Sequence, residues 1–401
     1  MKVLVTNCTR NSGVAVIRAL AHGGFEVLGA DDRRSPCGLR SRHVMAPYIV
    51  LPHEHSPEFT SGLIEVLDRV RPDVVIPTRG VEAAVQARDE ILARTHALLP
   101  KKAAFDVVND KAELMILCRS LGIAAPRVFE RDEAVGWLRS HAGNRVVIKP
   151  RIDVGGGEGV EFVGDASGVM DVHARTIAMY GGAVITEYIP GPLTNLLAVQ
   201  ALFDDQSRLI AFFVMQKLRV WPPEVGPTVA ALSVHRTELV LRLLPLFEAV
   251  AWCGPADVEL KIDERDGVAK IYEINPRFSG ALQFAIGCGV DLPGMLCRAA
   301  SGERLPRVET ATYPAGTRYI SGVDWGRAVL NELREARSSR WAIMARAAGE
   351  CRRPRVPTVY SLSDPAPLLA KLWPGFSRRT SQVDGDTKMS PAVGLEPERR
   401  V

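Results

Sequence analysis

The chain has 401 residues, of which 47% are hydrophobic and 24% charged, and its formal net charge is +4. This composition excludes a disordered, collagen-like or coiled-coil protein, and the length predicts about two to three domains at roughly 150 residues each. The most apolar stretch, 239–252, contains Arg242, Pro245 and Glu248. It therefore predicts a helix of a globular domain and no membrane span, which needs about 20 apolar residues in a row.

The start of the chain and its cysteines predict a cytoplasmic protein. Residues 1–5 lead directly into a strand-like sequence and lack the features of a signal peptide. The seven cysteines form no CxxC pair, which fits a reducing compartment and argues against a thiolate metal site. The positive charge is concentrated in the Arg-rich segment 327–355, so nucleic acid is not an expected partner.

The first hundred residues alternate short apolar strands with helices. This alternation predicts a parallel sheet covered by helices on both faces. The loop after the first strand has a single glycine, Gly13, where a dinucleotide-binding loop would have three, so NAD binding is disfavoured. The predicted strands are 2–6, 25–30 and 73–77, and the predicted helices are 13–22 and 58–70.

The pattern changes further along the chain. Residues 109–122 predict a helix that Asn109 or Asp110 caps and Gly122 ends. From residue 145 the sequence has the strand and hairpin texture of an α+β domain, and after Arg304 it becomes Arg-rich and helical. The predicted strands of this part are 145–150, 160–163, 183–189, 196–203 and 209–220.

The hairpin 256–275 carries the strongest chemical signal. Centring its turn on Asp266 places Glu259 opposite Glu273, and Asp257 opposite Asn275. Two facing carboxylates repel unless a cation lies between them, and oxygen ligands with an amide suit Mg²⁺ or Mn²⁺. The alternative is a solvated face on which Lys261 neutralises one acid. The opposite, core-facing side is predicted to hold Val258, Leu260, Ile262, Tyr272 and Ile274.

Three further segments could bind a nucleotide. Lys149 lies in an apolar strand just before the glycine-rich loop 155–159, where backbone N–H groups can cradle phosphates; a plain hairpin turn is the alternative. Strand 185–189 ends in a carboxylate that could accept a hydrogen bond from a purine. Lys217 and Arg219 share a strand face and could meet phosphate or a substrate carboxylate, or could be ordinary exposed charges.

Taken in chain order, these features resemble the ATP-grasp superfamily. Within it the chain is most similar to the predicted ATP-dependent carboxylate–amine ligases, through residues 217–226 and 273–280. The matching features are Lys111 on the capped helix, strand 147–150, loop 155–159, residues 187–189, Glu259 and the Glu-Ile-Asn-Pro-Arg sequence 273–277.

The resemblance implies an α/β plus α+β architecture. A Rossmann-like N-terminal domain, 1–103, would precede an ATP-grasp domain, 104–303, with a mainly helical C-terminal extension, 304–376, and a disordered tail, 377–401. The ATP-grasp domain would comprise a lid-bearing subdomain, about 104–186, and a metal-binding subdomain, about 187–303.

The resemblance also implies roles for individual residues. ATP would be held between the two subdomains, with one or two Mg²⁺ or Mn²⁺ ions. The ATP-binding set is Lys111, Lys149, Gly155, Gly156, Gly157, Glu158, Gly159, Glu187, Tyr188, Ile189 and Lys217. The metal ligands are Glu259, Glu273 and Asn275, and the catalytic set is Arg277, Lys149 and Arg219.

The implied reaction joins a small-molecule carboxylate to an amine. The carboxylate takes the γ-phosphate of ATP, and the amine then displaces phosphate to give an amide. Bicarbonate activation, thioester formation and a non-catalytic ATP-binding regulator remain alternatives, and relatives are often homodimers. One departure concerns ribose: no acid follows Pro190 and Gly191, where many relatives have one. Either Asn195 or Asp204 replaces that acid, or ribose is held loosely.

Overall fold

The computed structural model describes residues 1–32, 37–45, 48–141, 143–152, 154–335, 339–361 and 363–372. The tail expected at 377–401 lies outside these residues. Within them, no helix has the length and the run of apolar residues that a membrane crossing requires.

The N-terminal residues form the predicted parallel sheet, with the strand order β3-β2-β1-β4. Side chains alternate along β1, so that Val3 and Val5 pack in one core cluster with helix α1 while Leu4 packs in another with helix α2. A Cβ on Gly13 would lie 2.7 Å from Cys8 Cα, so this glycine serves helix packing. The elements are β1 (Lys2–Thr6), α1 (Asn11–His22), β2 (Glu26–Asp31), β3 (Ile49–Val50), α2 (Phe59–Val70), β4 (Val74–Pro77), α3 (Val81–Gln86) and α4 (Arg88–Leu92).

The second unit is a four-stranded antiparallel sheet, which we call the lid sheet, with the order β5-β8-β6-β7. Val146 and Ile148 of β6 are buried with residues of α7 and α8. Lys149 therefore points to the other face of the sheet. The elements are α5 (Lys102–Asn109), α6 (Lys111–Ser120), β5 (Val128–Phe129), α7 (Arg131–Ser140), β6 (Val146–Pro150), β7 (Glu161–Val163), α8 (Ala166–Tyr180) and β8 (Ala183–Glu187).

The third unit is a seven-stranded sheet, the large sheet. Its strands lie in the order β13 (Ala269–Asn275), β12 (Gly254–Ile262), β9 (Leu196–Phe203), β10 (Leu209–Val220), β11 (Thr228–Ser233), β14 (Arg318–Ile320) and β15 (Arg355–Val356). The apolar stretch 239–252 forms helix α9 as predicted, with Val240, Leu243 and Phe247 among its buried residues. The elements are β9 (Leu196–Phe203), β10 (Leu209–Val220), β11 (Thr228–Ser233), α9 (Thr237–Ala249), β12 (Gly254–Ile262), β13 (Ala269–Asn275), α10 (Leu282–Gly287) and α11 (Leu292–Ala300).

The described C-terminal residues form three helices and also add two short strands, which were not predicted, to the large sheet. Strand β14 (Arg318–Ile320) pairs with β11, and β15 (Arg355–Val356) pairs with β14. The helices here are α12 (Val323–Glu335), α13 (Arg340–Glu350) and α14 (Ala366–Leu372). The chain then returns to its beginning, where the hydroxyl of Ser41 donates to Asp364 at 2.7 Å and that of Tyr360 donates to Asn11 at 2.8 Å.

The register of the β12–β13 hairpin confirms the predicted pairs and corrects one prediction. Glu259 lies opposite Glu273 and Asp257 opposite Asn275, but the pairing shifts by one residue after Glu259. Tyr272 is the extra residue of this bulge. Its hydroxyl donates to Glu259 at 2.8 Å, so the prediction that Tyr272 faces the core is wrong.

Candidate active site

Two buried lysines converge on the hairpin from the lid side. Lys111 is the first residue of α6, and the side chain of Asp110 caps that helix by accepting from two backbone N–H groups. The Nζ of Lys111 lies 3.0 Å from Glu273 Oε1. The Nζ of Lys149 donates to the backbone oxygen of Tyr272 at 3.0 Å. Both lysines are 5% exposed, so the cluster concentrates positive charge in a place poor in water.

This concentration of charge shifts two pKa values. Burial lowers the pKa of Lys149 to about 8, although the charge of Glu273 acts in the opposite direction. Burial alone would raise the pKa of Glu273, but Lys111 and Lys149 outweigh it and keep that pKa below its ordinary value. Glu273 is therefore ionised, and Lys149 is close to losing its proton at mildly alkaline pH.

A third lysine approaches from the large sheet. Lys217 of β10 contacts Glu259 and is itself buried. The alternative in which Lys261 neutralises one of the facing acids is not supported, because the Nζ of Lys261 lies 4.9 Å from the ring centre of Tyr188. Each of the two facing carboxylates thus has its own lysine, Lys111 for Glu273 and Lys217 for Glu259.

The acids and the neighbouring amide fit a hard divalent cation. Within the described residues, no group of three or more His, Cys, Asp or Glu side chains could hold a metal ion. The oxygen donors that this face offers to such an ion are two carboxylates and one amide, those of Glu259, Glu273 and Asn275. That oxygen accepts from Arg277 at 3.0 Å. An oxygen-only donor set of this kind suits Mg²⁺.

Asp257 extends this face, although no binding or catalytic role was predicted for it from the sequence. It is 4% exposed, and its Oδ1 has no hydrogen-bond partner among the described residues. Burial, followed by the charge of Glu259, raises the pKa of Asp257 well above its ordinary range. The alternation of side chains on β12 was the signal that could have singled it out.

The glycine-rich loop lies against the loop 221–226 of the large sheet. Gly155, Gly156, Gly157 and Gly159 all have positive φ, between 69° and 88°, a backbone region that favours glycine. A Cβ on Gly157 would lie 2.2 Å from the backbone oxygen of Val225. The two loops therefore meet through backbone atoms. Between the glycines, the Glu158 carboxylate accepts from Tyr180 at 3.4 Å.

The end of β8 is held by charged groups of both sheets. Glu187 accepts from Arg265 at 2.5 Å, and its other oxygen accepts from the backbone N–H of Arg127 at 3.4 Å. Next to it, Tyr188 lies beneath Lys261, and Ile189 is 6% exposed. The segment thus offers a carboxylate, an aromatic ring and an apolar side chain within three residues.

Of the two candidates for ribose binding, one lies near this segment. The amide nitrogen of Asn195 donates to the backbone oxygen of Ile262 at 2.9 Å, and Asn195 is also in contact range of Gly191. Asp204 follows the opposite end of β9, which places it about 26 Å from Leu196 at roughly 3.3 Å per residue. Its carboxylate accepts a hydrogen bond from Arg208 at 2.7 Å. The structure does not support Asp204 in this role.

Arg219 is not brought to the lysine cluster. Its Nε donates to the two oxygens of Glu350 at 3.2 and 3.1 Å, and its guanidinium also contacts Glu332. These acids belong to α13 and α12. The pairing of β10 with β11 shifts between Lys217 and Arg219, and the two side chains serve different partners.

Comparison with solved structures gives several similar folds. The biotin carboxylase domain of Hydrogenobacter thermophilus 2-oxoglutarate carboxylase, a dimer in complex with MgADP, ADP and bicarbonate, is 17% identical, with a TM-score of 0.61 over 77% of this chain and 71% of that one. The Staphylococcus aureus N5-carboxyaminoimidazole synthetase complexed with ADP is 12% identical, with a TM-score of 0.61 over 76% and 78% of the two chains. The Campylobacter jejuni biotin carboxylase–βγ-ATP complex is 15% identical, with a TM-score of 0.60 over 79% and 74%.

No protein-family model and no curated protein sequence matches the chain. The structural likeness shows the fold: the chain has the mixed α/β ATP-grasp fold that its sequence motifs indicated.

Proposed function

We propose that this protein is an ATP-dependent carboxylate–amine ligase that forms an amide through an acyl phosphate. One observation carries the proposal: the buried ammonium groups of Lys111, Lys149 and Lys217 surround Glu259 and Glu273. A cluster that is both cationic and acidic suits a polyphosphate bound together with a divalent cation. The solved structures with the same fold contain ADP, MgADP or an ATP derivative, which supports ATP as the nucleotide.

The nucleotide would lie between the lid sheet and the large sheet. Lys111 and Lys149 would bind its phosphates, with Lys217 on the other side and the loop 155–159 closing over them to exclude water. Residues 187–189 would receive adenine. When bound, Mg²⁺ would neutralise phosphate charge, with Glu259, Glu273 and Asn275 as its ligands.

The reaction would proceed in two steps. An oxygen of the carboxylate substrate attacks the γ-phosphorus of ATP, the bond to the β-phosphate oxygen breaks, and ADP leaves an acyl phosphate behind. The amine nitrogen then attacks the acyl carbon, phosphate departs, and the nitrogen loses a proton. In both steps this chain positions the groups and stabilises negative charge, and Arg277 would face the charge on the acyl oxygen and the leaving phosphate.

Several coarser features belong to the same proposal. The domain division at residues 103, 186 and 303 stays a prediction, as does the cytoplasmic location. The dimer in the Hydrogenobacter structure supports the expectation of a homodimer. The proposed substrates are a small-molecule carboxylate and a small-molecule amine.

The test is to trap the acyl phosphate. The protein is incubated with MgATP, hydroxylamine and a panel of carboxylic acids that includes amino acids and bicarbonate, and hydroxamates are sought by mass spectrometry. We expect a hydroxamate from at least one organic acid, and its loss in Glu273→Gln. Glu161→Gln is the matched control, because Glu161 is a lid-sheet acid paired with Arg175.

Other outcomes lead to the alternatives. Product from bicarbonate alone would favour a carboxylase-type reaction. If no acid gives product and no ADP forms above background, the proposal fails and ATP binding without turnover becomes the better interpretation.

A further inference from the structure

Three polar residues cross the large sheet beside the proposed phosphate site. Gln200 of β9 lies opposite Asp257 of β12, which lies opposite Asn275 of β13. Directly opposed residues of neighbouring antiparallel strands point to the same side of a sheet. The three side chains are 2%, 4% and 7% exposed, so they form one buried row, which we call the acceptor row.

The acceptor row has oxygen atoms that lack a donor. Asp257 Oδ1 and Gln200 Oε1 are both buried and have no hydrogen-bond partner in the part of the chain that the structure describes. The orientation of the Gln200 amide is set by its nitrogen, which donates to the backbone oxygen of Ala281 at 3.4 Å. Buried acceptors without donors cost free energy, so a ligand that brings donors would be favoured here.

The position of the row along β12 indicates which part of the reaction it serves. Lys261 lies by Tyr188 at the proposed adenine end, and Glu259 lies among the lysines. Asp257 comes next on the same face, about 6.6 Å further along at roughly 3.3 Å per residue. It therefore lies beyond the phosphates, on the side where the acyl group and its acceptor must meet.

The chemistry of the row selects the ligand. Two oxygen acceptors, one of them a carboxylate, complement a cation with several N–H donors and repel a carboxylate or phosphate. The nearby charges are Glu259, which is acidic, and Arg277 and Lys217, which are basic, and Ser279 hydrogen-bonds the Asp257 carboxylate. Gly280, beside Ser279, is exposed, and a Cβ there would have no atom within 4 Å. The segment that follows β13 thus leaves open space next to the row.

We infer that Asp257 and Gln200 bind the ammonium group of the amine substrate. The inference rests on the proposed function and deepens it, because it assigns a subsite for a primary amine. Asp257 would contribute charge and Gln200 a second acceptor, so that the bound group is oriented toward the acyl carbon. One proton of the ammonium group would pass to the Asp257 carboxylate, and the nitrogen lone pair that this frees would form the C–N bond.

Competition with hydroxylamine tests the inference. Hydroxylamine is uncharged at neutral pH and reports acyl phosphate whether or not an ammonium subsite exists. Using an acid that gives a hydroxamate, we would add ammonium chloride, ethanolamine and each protein amino acid in turn, alongside their N-acetylated forms where these exist. We expect at least one primary amine to suppress the hydroxamate while its N-acetylated form does not.

Variants then assign that effect to the row. Asp257→Asn is expected to raise the amine concentration needed for half-suppression about tenfold, because a charged hydrogen bond is lost, and Gln200→Met to raise it by a smaller factor. Asp204→Asn, which alters a buried acid just after the far end of β9, should leave that concentration unchanged. The amine concentration at half-suppression depends on competition and not on the amount of folded enzyme. If Asp257→Asn does not fold, the result for Gln200→Met alone decides whether the row binds the amine.

The outcomes are distinct. If no amine suppresses the hydroxamate more than its N-acetylated form, or if both row variants behave like wild type, the inference is overturned while the proposed function stands. If wild type gives no hydroxamate with any acid, the proposed function fails and this inference fails with it.

Discussion

At the scale of single residues, the site is governed by how charge is buried. Lys111 and Glu273 form a close pair with little exposure, and Lys149 lies beside them without an acid within hydrogen-bond distance among the described residues. Burial therefore destabilises the charged form of Lys149, and its pKa is lowered. A bound phosphate would supply the negative charge that Lys149 lacks.

This imbalance predicts a pH dependence of ATP binding. The folded-state pKa of Lys149 is lowered to about 8, so its positive charge is present below that pH and is lost above it. We expect the KM for ATP to rise by about tenfold per pH unit above the pKa, as the protonated fraction falls. Steady-state hydroxamate formation measured across this range checks it.

Lys149→Arg is the control, because a guanidinium stays charged throughout that range. A rise in KM that is the same in wild type and in Lys149→Arg would contradict the assignment to Lys149.

At the scale of elements, two contacts connect segments that lie far apart in the sequence. The first is between the glycine-rich loop and loop 221–226, where Gly157 approaches Val225 too closely for a side chain. Gly157→Ala would force the two loops apart, and we expect the KM for ATP to rise about tenfold. Gly156→Ala is the matched control: its φ of 69° is equally left-handed, but a Cβ there meets nothing within 4 Å.

The comparison of these two variants removes the backbone strain that both share. Equal KM values for ATP in Gly157→Ala and Gly156→Ala would mean that the contact between the loops does not help to hold the nucleotide.

The second contact ties β10 to the C-terminal helices through Arg219 and Glu350. Both side chains are 3% exposed, and Glu350 also accepts from the indole nitrogen of Trp325 at 2.6 Å. Glu350→Gln would leave a buried guanidinium short of negative charge, so we expect the free energy of unfolding to fall by about 3 kcal/mol. Urea denaturation measures it, with Glu248→Gln on the exposed side of α9 expected to change stability by less than about 0.5 kcal/mol.

A stability loss in Glu350→Gln no larger than that in Glu248→Gln would show that the ion pair is not a support for β10. It would also support the catalytic role that the resemblance implies for Arg219.

At the scale of the whole molecule, a contact could be predicted when its residues lie close together in the sequence and was missed when they lie far apart. The pairing of Glu259 with Glu273 followed from one turn, and the capped helix at Lys111 from local signals. The bulge at Tyr272 was missed because alternation carries no mark of an inserted residue. The contact between Arg219 and Glu350 joins residues 131 positions apart, and no local sequence pattern predicts it.

The acceptor row shows the same limit. Asp257 could be placed beside Asn275 by the hairpin, but Gln200 joins them only because β9 lies next to β12 in the large sheet. That adjacency depends on packing between distant segments, which one sequence does not encode in any local pattern. Strands β14 and β15 were not predicted for the same reason, since both strands are short and depend on pairing to β11 and to each other.

The contact between Ser41 and Asp364 has a consequence for the folding of the chain during its synthesis. Its two partners are 323 residues apart, so one cannot meet the other until nearly all of the chain has been made. At about 5–20 residues per second, translation alone separates them by roughly 15–65 s. During that time Ser41 has no Asp364 to contact, so a nascent chain that pauses late in synthesis would leave the Ser41 hydroxyl without the carboxylate that it meets in the folded protein.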